Sequence, residues 1–186
     1  TGFHIHAAES ESDEYDSLNK SGMRVIDRLR KHELLGPKSI AVHGVHFDMR
    51  EAQILAETGT WLTHQPRSNM NNGVGVAEIE SMTRAGVKVG LGNDGFSNAM
   101  WEEWKAAYLI HKSHHRDPRR MGGNDVAQMA IYNNAALANG FFPNAPIGKI
   151  KAGAYADIIF VDYHPITPLT VDNLPWHIIF GFQQGM

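Results

Sequence analysis

The chain has 186 residues, of which 42% are hydrophobic and 20% charged, and its formal net charge is −3. This balance indicates a globular protein and excludes nucleic acid and membranes as expected partners: there is no basic excess, and no apolar run approaches the roughly 20 residues that span a bilayer. The absence of cysteine excludes disulfides, thiolate metal ligands and a cysteine nucleophile, and we expect a cytoplasmic protein.

Short apolar runs alternate with segments of helical period through most of the chain. Strands are predicted for residues 3–8, 39–43, 60–63 and 87–91, and helices for residues 15–32, 48–58, 76–85 and 99–112. Asp48 is the expected N-cap of the second helix, Glu51 completes its capping box and Gly59 ends it. Strands that alternate with helices imply a parallel sheet, and four such units make up half of a (β/α)₈ barrel. A doubly wound open sheet is the main alternative.

The pattern changes after the fourth unit. A polar loop is predicted for residues 111–120, a helix capped by Asn124 or Asp125 for residues 125–139, and a buried strand for residues 156–162. Three later prolines, Pro165, Pro168 and Pro175, are expected to prevent long regular structure. The chain begins directly on a strand-like run and ends without a stop signal, so we expect a piece of a longer protein.

Polar side chains lie at or just beyond the carboxyl end of each of the four predicted strands. These are His6 and Glu9, His43 and His46, His64 and Asn69, and Asp94. Functional residues of parallel α/β folds gather at the carboxyl ends of the strands, so we expect these side chains to converge. Imidazoles and carboxylates bind divalent ions, and a bound water then loses a proton near neutral pH. His6 and Asp94 are the predicted ligands, and Glu9 is placed to move protons.

Each histidine also has a structural interpretation, because a single histidine at a strand end is more often a hydrogen-bonded structural residue. A metal site is favoured because polar, potentially metal-binding residues occur at the ends of all four strands. His46, three residues beyond His43, is predicted to support its neighbours rather than to bind. The cluster His111, His114 and His115 is predicted to be solvated at a basic helix end.

These residues resemble the amidohydrolase superfamily, in the branch that contains aminohydrolases, cytosine and guanine deaminases and chlorohydrolases. Four segments carry the resemblance, namely residues 6–9 (HAAE), 41–46 (AVHGVH), 64–69 (HQPRSN) and 91–95 (LGNDG). Residues 148–157 are similar to the family's return into a small β-sandwich. The resemblance implies two domains, residues 1–145 with strands five to eight of the barrel and residues 146–186 with an incomplete sandwich. Residues 68–73 look closest to aminohydrolases linked to selenium metabolism.

The resemblance implies a role for each position. His6 would bind the metal from barrel strand five, and Asp94 would bind it from strand eight and accept the first proton of the water. Glu9 would be the proton shuttle. His43, from strand six, would hydrogen-bond the attacked group or the water.

Two further positions, His64 and Asn69, would line the substrate pocket. Gln65 stands where the family usually has asparagine, and Asn93 where it usually has threonine. The family's His-x-His pair on barrel strand one is absent from this chain. The metal site is therefore predicted to be incomplete, with the N-terminal half of the barrel as its missing partner.

The resemblance implies hydrolytic deamination of an aminated heterocycle, with a small-molecule substrate and one divalent metal. Zinc is the first choice of metal, and iron and manganese are the alternatives. Cyclic-amide hydrolysis or dechlorination in the same site is a second hypothesis. A third is a catalytically incomplete fragment or binding module. Open sheet edges and apolar helix faces of a half barrel would then associate, so we also expect a homo-oligomer.

Overall fold

The computed structural model describes residues 2–144 and 146–186. Contacts divide the chain into two compact units, Thr1–Asp94 and Gly95–Met186. Ala145, the last residue of the predicted first domain, lies outside the described residues. The predicted domain limit between residues 145 and 146 stays a prediction.

A four-stranded parallel sheet organises the first unit. Its strands are β1 (His4–Ala7), β2 (Ile40–His43), β3 (Trp61–His64) and β4 (Lys88–Leu91), and they are hydrogen-bonded in that order. The register aligns Ala7 with His43 and His64 with Leu91, so the strands end at nearly the same level. All four predicted strands exist, and their sequential parallel order confirms the predicted α/β class.

Five helices connect and cover these strands: α1 (Glu11–Ser21), α2 (Val25–Lys31), α3 (Met49–Thr58), α4 (Pro66–Asn72) and α5 (Ile79–Arg84). Helix α3 begins as predicted, because Asp48 accepts from the Glu51 amide at 2.8 Å and Glu51 accepts from the Asp48 amide at 3.1 Å. Gly59 ends it in the left-handed conformation, at φ 70°. The core between sheet and helices includes the buried side chains of Leu55 and Leu62.

The helices predicted for this unit differ from the structure in two places. The single helix predicted for residues 15–32 is two helices, because Gly22 adopts a φ of 67° and its amide caps α1 by donating to the Leu18 carbonyl at 2.8 Å. Helix α4 was not predicted at all. Its seven residues contain no apolar periodicity, and it depends instead on Pro66 in its first turn.

A buried charge network joins α1, α3 and the loop after β2. Arg24 lies at its centre and contacts Glu51 at 2.7 Å and Glu14 at 3.3 Å. The same guanidinium donates to the His46 carbonyl at 2.7 Å. Burial, followed by the nearby charge of Glu51, raises the pKa of Glu14 to about 7.

Replacing Glu14 is expected to change the pH dependence of stability. A carboxyl whose pKa rises from 4.5 to about 7 on folding stabilises the fold below pH 4.5, and this contribution is lost as the pH rises to about 7. The neutral variant Glu14→Gln should therefore gain stability relative to the unmodified chain across that window, by on the order of 2 kcal/mol at pH 8. Urea unfolding from pH 4.5 to 8 measures the difference. Exposed Glu11→Gln is the control, and an equally pH-dependent difference there would contradict the assignment.

The second unit is helical in the residues described. It contains α6 (Met100–His115), α7 (Gly123–Ala127), a π-helical segment (Gln128–Asn133), α8 (Asn134–Phe141) and α9 (Leu174–Gly181). The run from α7 to α8 confirms the helix predicted for residues 125–139, with wider limits. Gly122 is its N-cap instead of Asn124 or Asp125, and Asp125 accepts from the Gly122 amide at 2.8 Å. Nowhere in residues 2–144 and 146–186 does a helix have the length and apolar character needed to cross a bilayer.

Three predictions in this unit were wrong: the loop from residue 111, the solvated position of His111 and the strand at residues 156–162. Helix α6 continues to His115, where a loop was predicted, and His111 is fully buried instead of solvated. Residues 156–162 form no strand, and Phe160 is 92% exposed. A strand exists only beside a partner strand, and none lies in the described residues 146–186. Pro175 occupies the first turn of α9, where its missing N–H costs nothing, and the described regular structure after Pro165 is limited to this eight-residue helix.

Candidate metal centre

Four predicted side chains meet at the carboxyl end of the sheet. The Nε2 atom of His43, the last residue of β2, lies 3.1 Å from His6 Nδ1. The same atom lies 3.5 Å from Glu9 Oε2 and 3.7 Å from Asp94 Oδ2. His43 is fully buried, whereas the Glu9 and Asp94 side chains are partly accessible. The structure therefore brings His6, Glu9, His43 and Asp94 together around one imidazole nitrogen.

Backbone conformations with positive φ occur at the strand ends that carry these residues. Ala8, His43 and Asp94 have positive φ values of 49°, 73° and 50°, at or just beyond the ends of β1, β2 and β4. Such a conformation costs a residue other than glycine about 1–3 kcal/mol. It persists where the surrounding structure stabilises it, and such residues cluster at functional sites. Gly44 continues the left-handed turn after His43, and a Cβ there would lie 2.6 Å from the Phe47 ring.

Hydrogen bonds from the segment after β3 fix the buried imidazole. The Nδ1 atom of His43 lies 2.8 Å from Asn69 Oδ1, and Asn69 is 2% exposed. An amide oxygen only accepts, so His43 Nδ1 carries the proton of this bond and Nε2 faces His6, Glu9 and Asp94. The His43 backbone amide also donates to Gln65 Oε1 at 3.1 Å. The bond to Asn69 holds the ring in one orientation, and the bond to Gln65 holds the backbone that carries the ring.

Both carboxylates also receive hydrogen bonds from α4. Ser68 Oγ donates to Asp94 Oδ2 at 2.7 Å, and Asn72 Nδ2 donates to Glu9 Oε1 at 2.8 Å. No role was predicted for Ser68 or Asn72 from the sequence. The sequence feature that could have indicated such a role is the nearly unbroken run of polar residues at 68–72, shortly after the end of β3.

The donor set fits a divalent metal. His6, His43 and Asp94 each offer one ligand atom, and these atoms all lie within 4.8 Å of one another. Two ligand atoms about 2.0–2.1 Å from a tetrahedral zinc ion stand roughly 3.3 Å apart. The separations of 3.1 Å and 3.7 Å around His43 Nε2 bracket that value. His43 was predicted to take part in catalysis, and its position also allows it to act as a ligand.

The two remaining predicted histidines do not belong to this group of possible ligands in the described residues. His46 Nε2 lies 3.0 Å from the Val74 carbonyl, so its ring joins the loop after β2 to the segment after α4. His64 ends β3 and is 1% exposed. The supporting role of His46 and the substrate contact of His64 stay predictions.

Known proteins resemble the chain over nearly its whole length. The 5-methylthioadenosine/S-adenosylhomocysteine deaminase of Acetivibrio thermocellus is 36% identical over 166 residues, which are 87% of this chain and 38% of that protein. The enzyme of the same name from Thermococcus sibiricus is 34% identical over 181 residues, 95% of this chain and 42% of that protein. The 5'-deoxyadenosine deaminase of Methanopyrus kandleri is 34% identical over 162 residues, which are 85% of this chain and 37% of that protein.

Solved structures share the fold. The crystal structure of an adenosine deaminase from Xanthomonas campestris with bound zinc superposes with a TM-score of 0.82 at 23% identity, over 97% of this chain and 41% of that one. The chain thus spans about 40% of the length of the proteins it matches. This share agrees with the prediction of half a barrel, and the suggested kinship with selenium-linked aminohydrolases stays a prediction. The model of the amidohydrolase family matches residues 1–185, and the chain therefore belongs to that family.

Proposed function

We propose that this site carries out metal-dependent hydrolytic deamination of an aminated heterocycle, within a protein of the length of its relatives. The observation that carries the proposal is the convergence of two imidazoles and two carboxylates, from three strand ends, around His43 Nε2. Relatives named as deaminases of 5-methylthioadenosine, S-adenosylhomocysteine and 5'-deoxyadenosine support an adenosine-type substrate. The adenine amino group would leave as ammonia.

His6 and Asp94 would hold one divalent ion, with zinc as the first choice and iron or manganese as alternatives. Such an ion supplies a water molecule that loses a proton near neutral pH. Imidazole nitrogen and carboxylate oxygen suit all three metals, so the donor set alone does not choose among them. Further ligands would come from the N-terminal half of the barrel.

Glu9 would move the protons of the reaction. Asn72 donates to its Oε1, which leaves Oε2, 3.5 Å from His43 Nε2, to exchange a proton. Adding water across a C=N bond requires a proton at the ring nitrogen, and releasing ammonia requires a second one at the amino nitrogen. One carboxyl that is partly accessible to substrate can deliver both in turn.

Asp94 and His43 would complete the reaction site. Asp94 would accept the first proton of the water, with Ser68 fixing its Oδ2. His43 would hydrogen-bond the nucleophilic water through Nε2, because its Nδ1 proton is engaged by Asn69 and its buried ring is already oriented before substrate arrives. A buried ring that is held in this way needs no reorganisation when the reaction occurs.

Asn69 has an amide donor to offer a substrate. Its Nδ2 atom is buried and has no acceptor among residues 2–144 and 146–186. Leaving a buried donor without an acceptor costs about 1–3 kcal/mol, so a ring nitrogen or hydroxyl of the substrate that accepts this bond would recover that energy. Substrate would reach this atom only after neighbouring side chains shift, so the contact of Asn69 with substrate stays a prediction. His64, at the neighbouring strand end, would line the same pocket.

An activity and metal assay of the full-length protein tests the proposal. We expect ammonia release from 5-methylthioadenosine or S-adenosylhomocysteine, loss of activity with a chelator, and recovery with one equivalent of zinc, iron or manganese per site. Release of chloride from a chlorinated triazine, or of a carboxylate from a cyclic amide, without ammonia from any aminated heterocycle would contradict it. The native mass measured in the same preparation tests the proposed homo-oligomer.

A further inference from the structure

We propose that helix α4 (Pro66–Asn72) is the positioning element of the site, with a separate hydrogen bond to each of three reacting side chains. Ser68 holds Asp94, and Asn72 holds Glu9. Asn69 holds the His43 ring. This inference rests on the proposed function for the roles of the residues that α4 holds, but the contacts themselves are independent of it.

The spacing of the three polar residues suits this task. On a helix, residues 68 and 72 lie one turn apart on the same face, and residue 69 is offset by about 100°. One face of the helix can therefore make hydrogen bonds to His43, Asp94 and Glu9. Ser68 and Asn69 are buried, whereas Asn72, in the last turn, is exposed, as are Met70 and Asn71 outside this arc. Helix α4 thus buries two polar side chains, Ser68 and Asn69, where an ordinary amphipathic helix buries apolar ones.

Helix α4 is fixed at both ends. It follows the last residue of β3 after one intervening residue, Gln65, and Pro66 restricts its first turn. Gly73 ends it at φ 64°. Gln65 joins the helix start to the sheet, because it accepts from the His43 amide at 3.1 Å and donates to Thr63 Oγ1 at 2.7 Å. Movement of α4 relative to the strand ends would break these bonds.

The two carboxylate bonds leave different atoms for different tasks. Ser68 orients the carboxylate that is proposed to bind metal, whereas Asn72 orients the one that is proposed to move protons. Removing the first should therefore weaken metal binding, and removing the second should slow turnover. A purely structural helix would produce one common loss in both variants.

The test compares Ser68→Ala and Asn72→Ala in the full-length protein. Zinc affinity is measured by competition with a chromogenic chelator, and kcat and KM at saturating zinc. We expect Ser68→Ala to lower zinc affinity about 10- to 100-fold and Asn72→Ala to leave it unchanged. Asn72→Ala should lower kcat about 10-fold, with KM within about twofold.

Matched controls separate positioning from folding. Ser17→Ala removes another buried serine hydroxyl, which donates to the Met23 carbonyl at 2.9 Å away from the site. Asn19→Ala removes an exposed helical asparagine. Both should leave zinc affinity and kcat unchanged, and Ser68→Thr, which keeps the hydroxyl, should restore zinc affinity.

Two results would overturn the inference. One is an unchanged zinc affinity in Ser68→Ala together with an unchanged kcat in Asn72→Ala. The other is a parallel loss of both quantities in both variants, in proportion to lost unfolding free energy. Failure of the proposed function looks different: no ammonia would be released by the unmodified protein, while Ser68→Ala would still bind zinc more weakly.

Discussion

Glu9→Gln is expected to lower kcat by about 10²- to 10⁴-fold and to leave the bound metal in place, in a protein of the length of its relatives. Glutamine has nearly the same shape as glutamate, and its oxygen can still accept from Asn72 Nδ2, as Glu9 Oε1 does at 2.8 Å. It cannot give up or take up a proton between water and leaving group. Steady-state kinetics of ammonia release and metal analysis of the same sample provide the measurement.

Glu11→Gln is the matched control for this substitution. Glu11 begins α1 two residues further along the chain and is exposed. Its replacement should leave kcat within about twofold, since surface changes away from special features have small effects. A Glu9→Gln variant that kept the unmodified rate would rule out Glu9 as the proton shuttle. Loss of metal together with activity would instead make Glu9 a ligand.

Arg24→Leu is expected to lower the free energy of unfolding by about 3–5 kcal/mol, the largest stability effect we predict. Arg24 is the cation bound by Glu51, whose side chain is 0% exposed, and it also contacts the buried Glu14. Without the guanidinium, two carboxylates would remain close together in the protein interior with less compensation. Urea unfolding at pH 7 measures the loss.

Arg30→Leu provides a close control. Arg30 also pairs with a glutamate of α3, Glu57 at 3.0 Å, but both side chains are more than half exposed. Exposed pairs of this kind contribute about 0–1 kcal/mol, because water already solvates and screens both charges. Equal losses from Arg24→Leu and Arg30→Leu would show that burial of the pair has no energetic consequence here.

The sheet and most of its connections could be predicted from the sequence, because their signals are local. The apolar runs that form β1 to β4 are bounded by turn residues, and the capping box of Asp48 and Glu51 lies within four consecutive residues. Parallel strands place their carboxyl ends at one edge, so the convergence of His6, His43 and Asp94 also follows from the pattern. These features need only the chain's own periodicity and the geometry of a parallel sheet.

The errors lie where a long-range partner decides the outcome. Residues 156–162 have the composition of a buried strand but form none, since composition cannot supply the neighbour that a strand requires. His111 looks like a solvated histidine in the sequence and is fully buried in the structure. In both cases the local sequence pattern is present, but contacts with distant parts of the chain determine the structure that forms.

The sequence by itself thus determined which residues bear the chemistry, and the tertiary structure decided how they are held. His6, Glu9, His43 and Asp94 were identified by residue type and by position after strands. Their support comes from α4, through hydrogen bonds that join residues 26 to 63 positions apart in the chain. Hydrogen bonds are short and directional, so whether a polar side chain makes one depends on distances within a few tenths of an ångström, which only the folded chain sets.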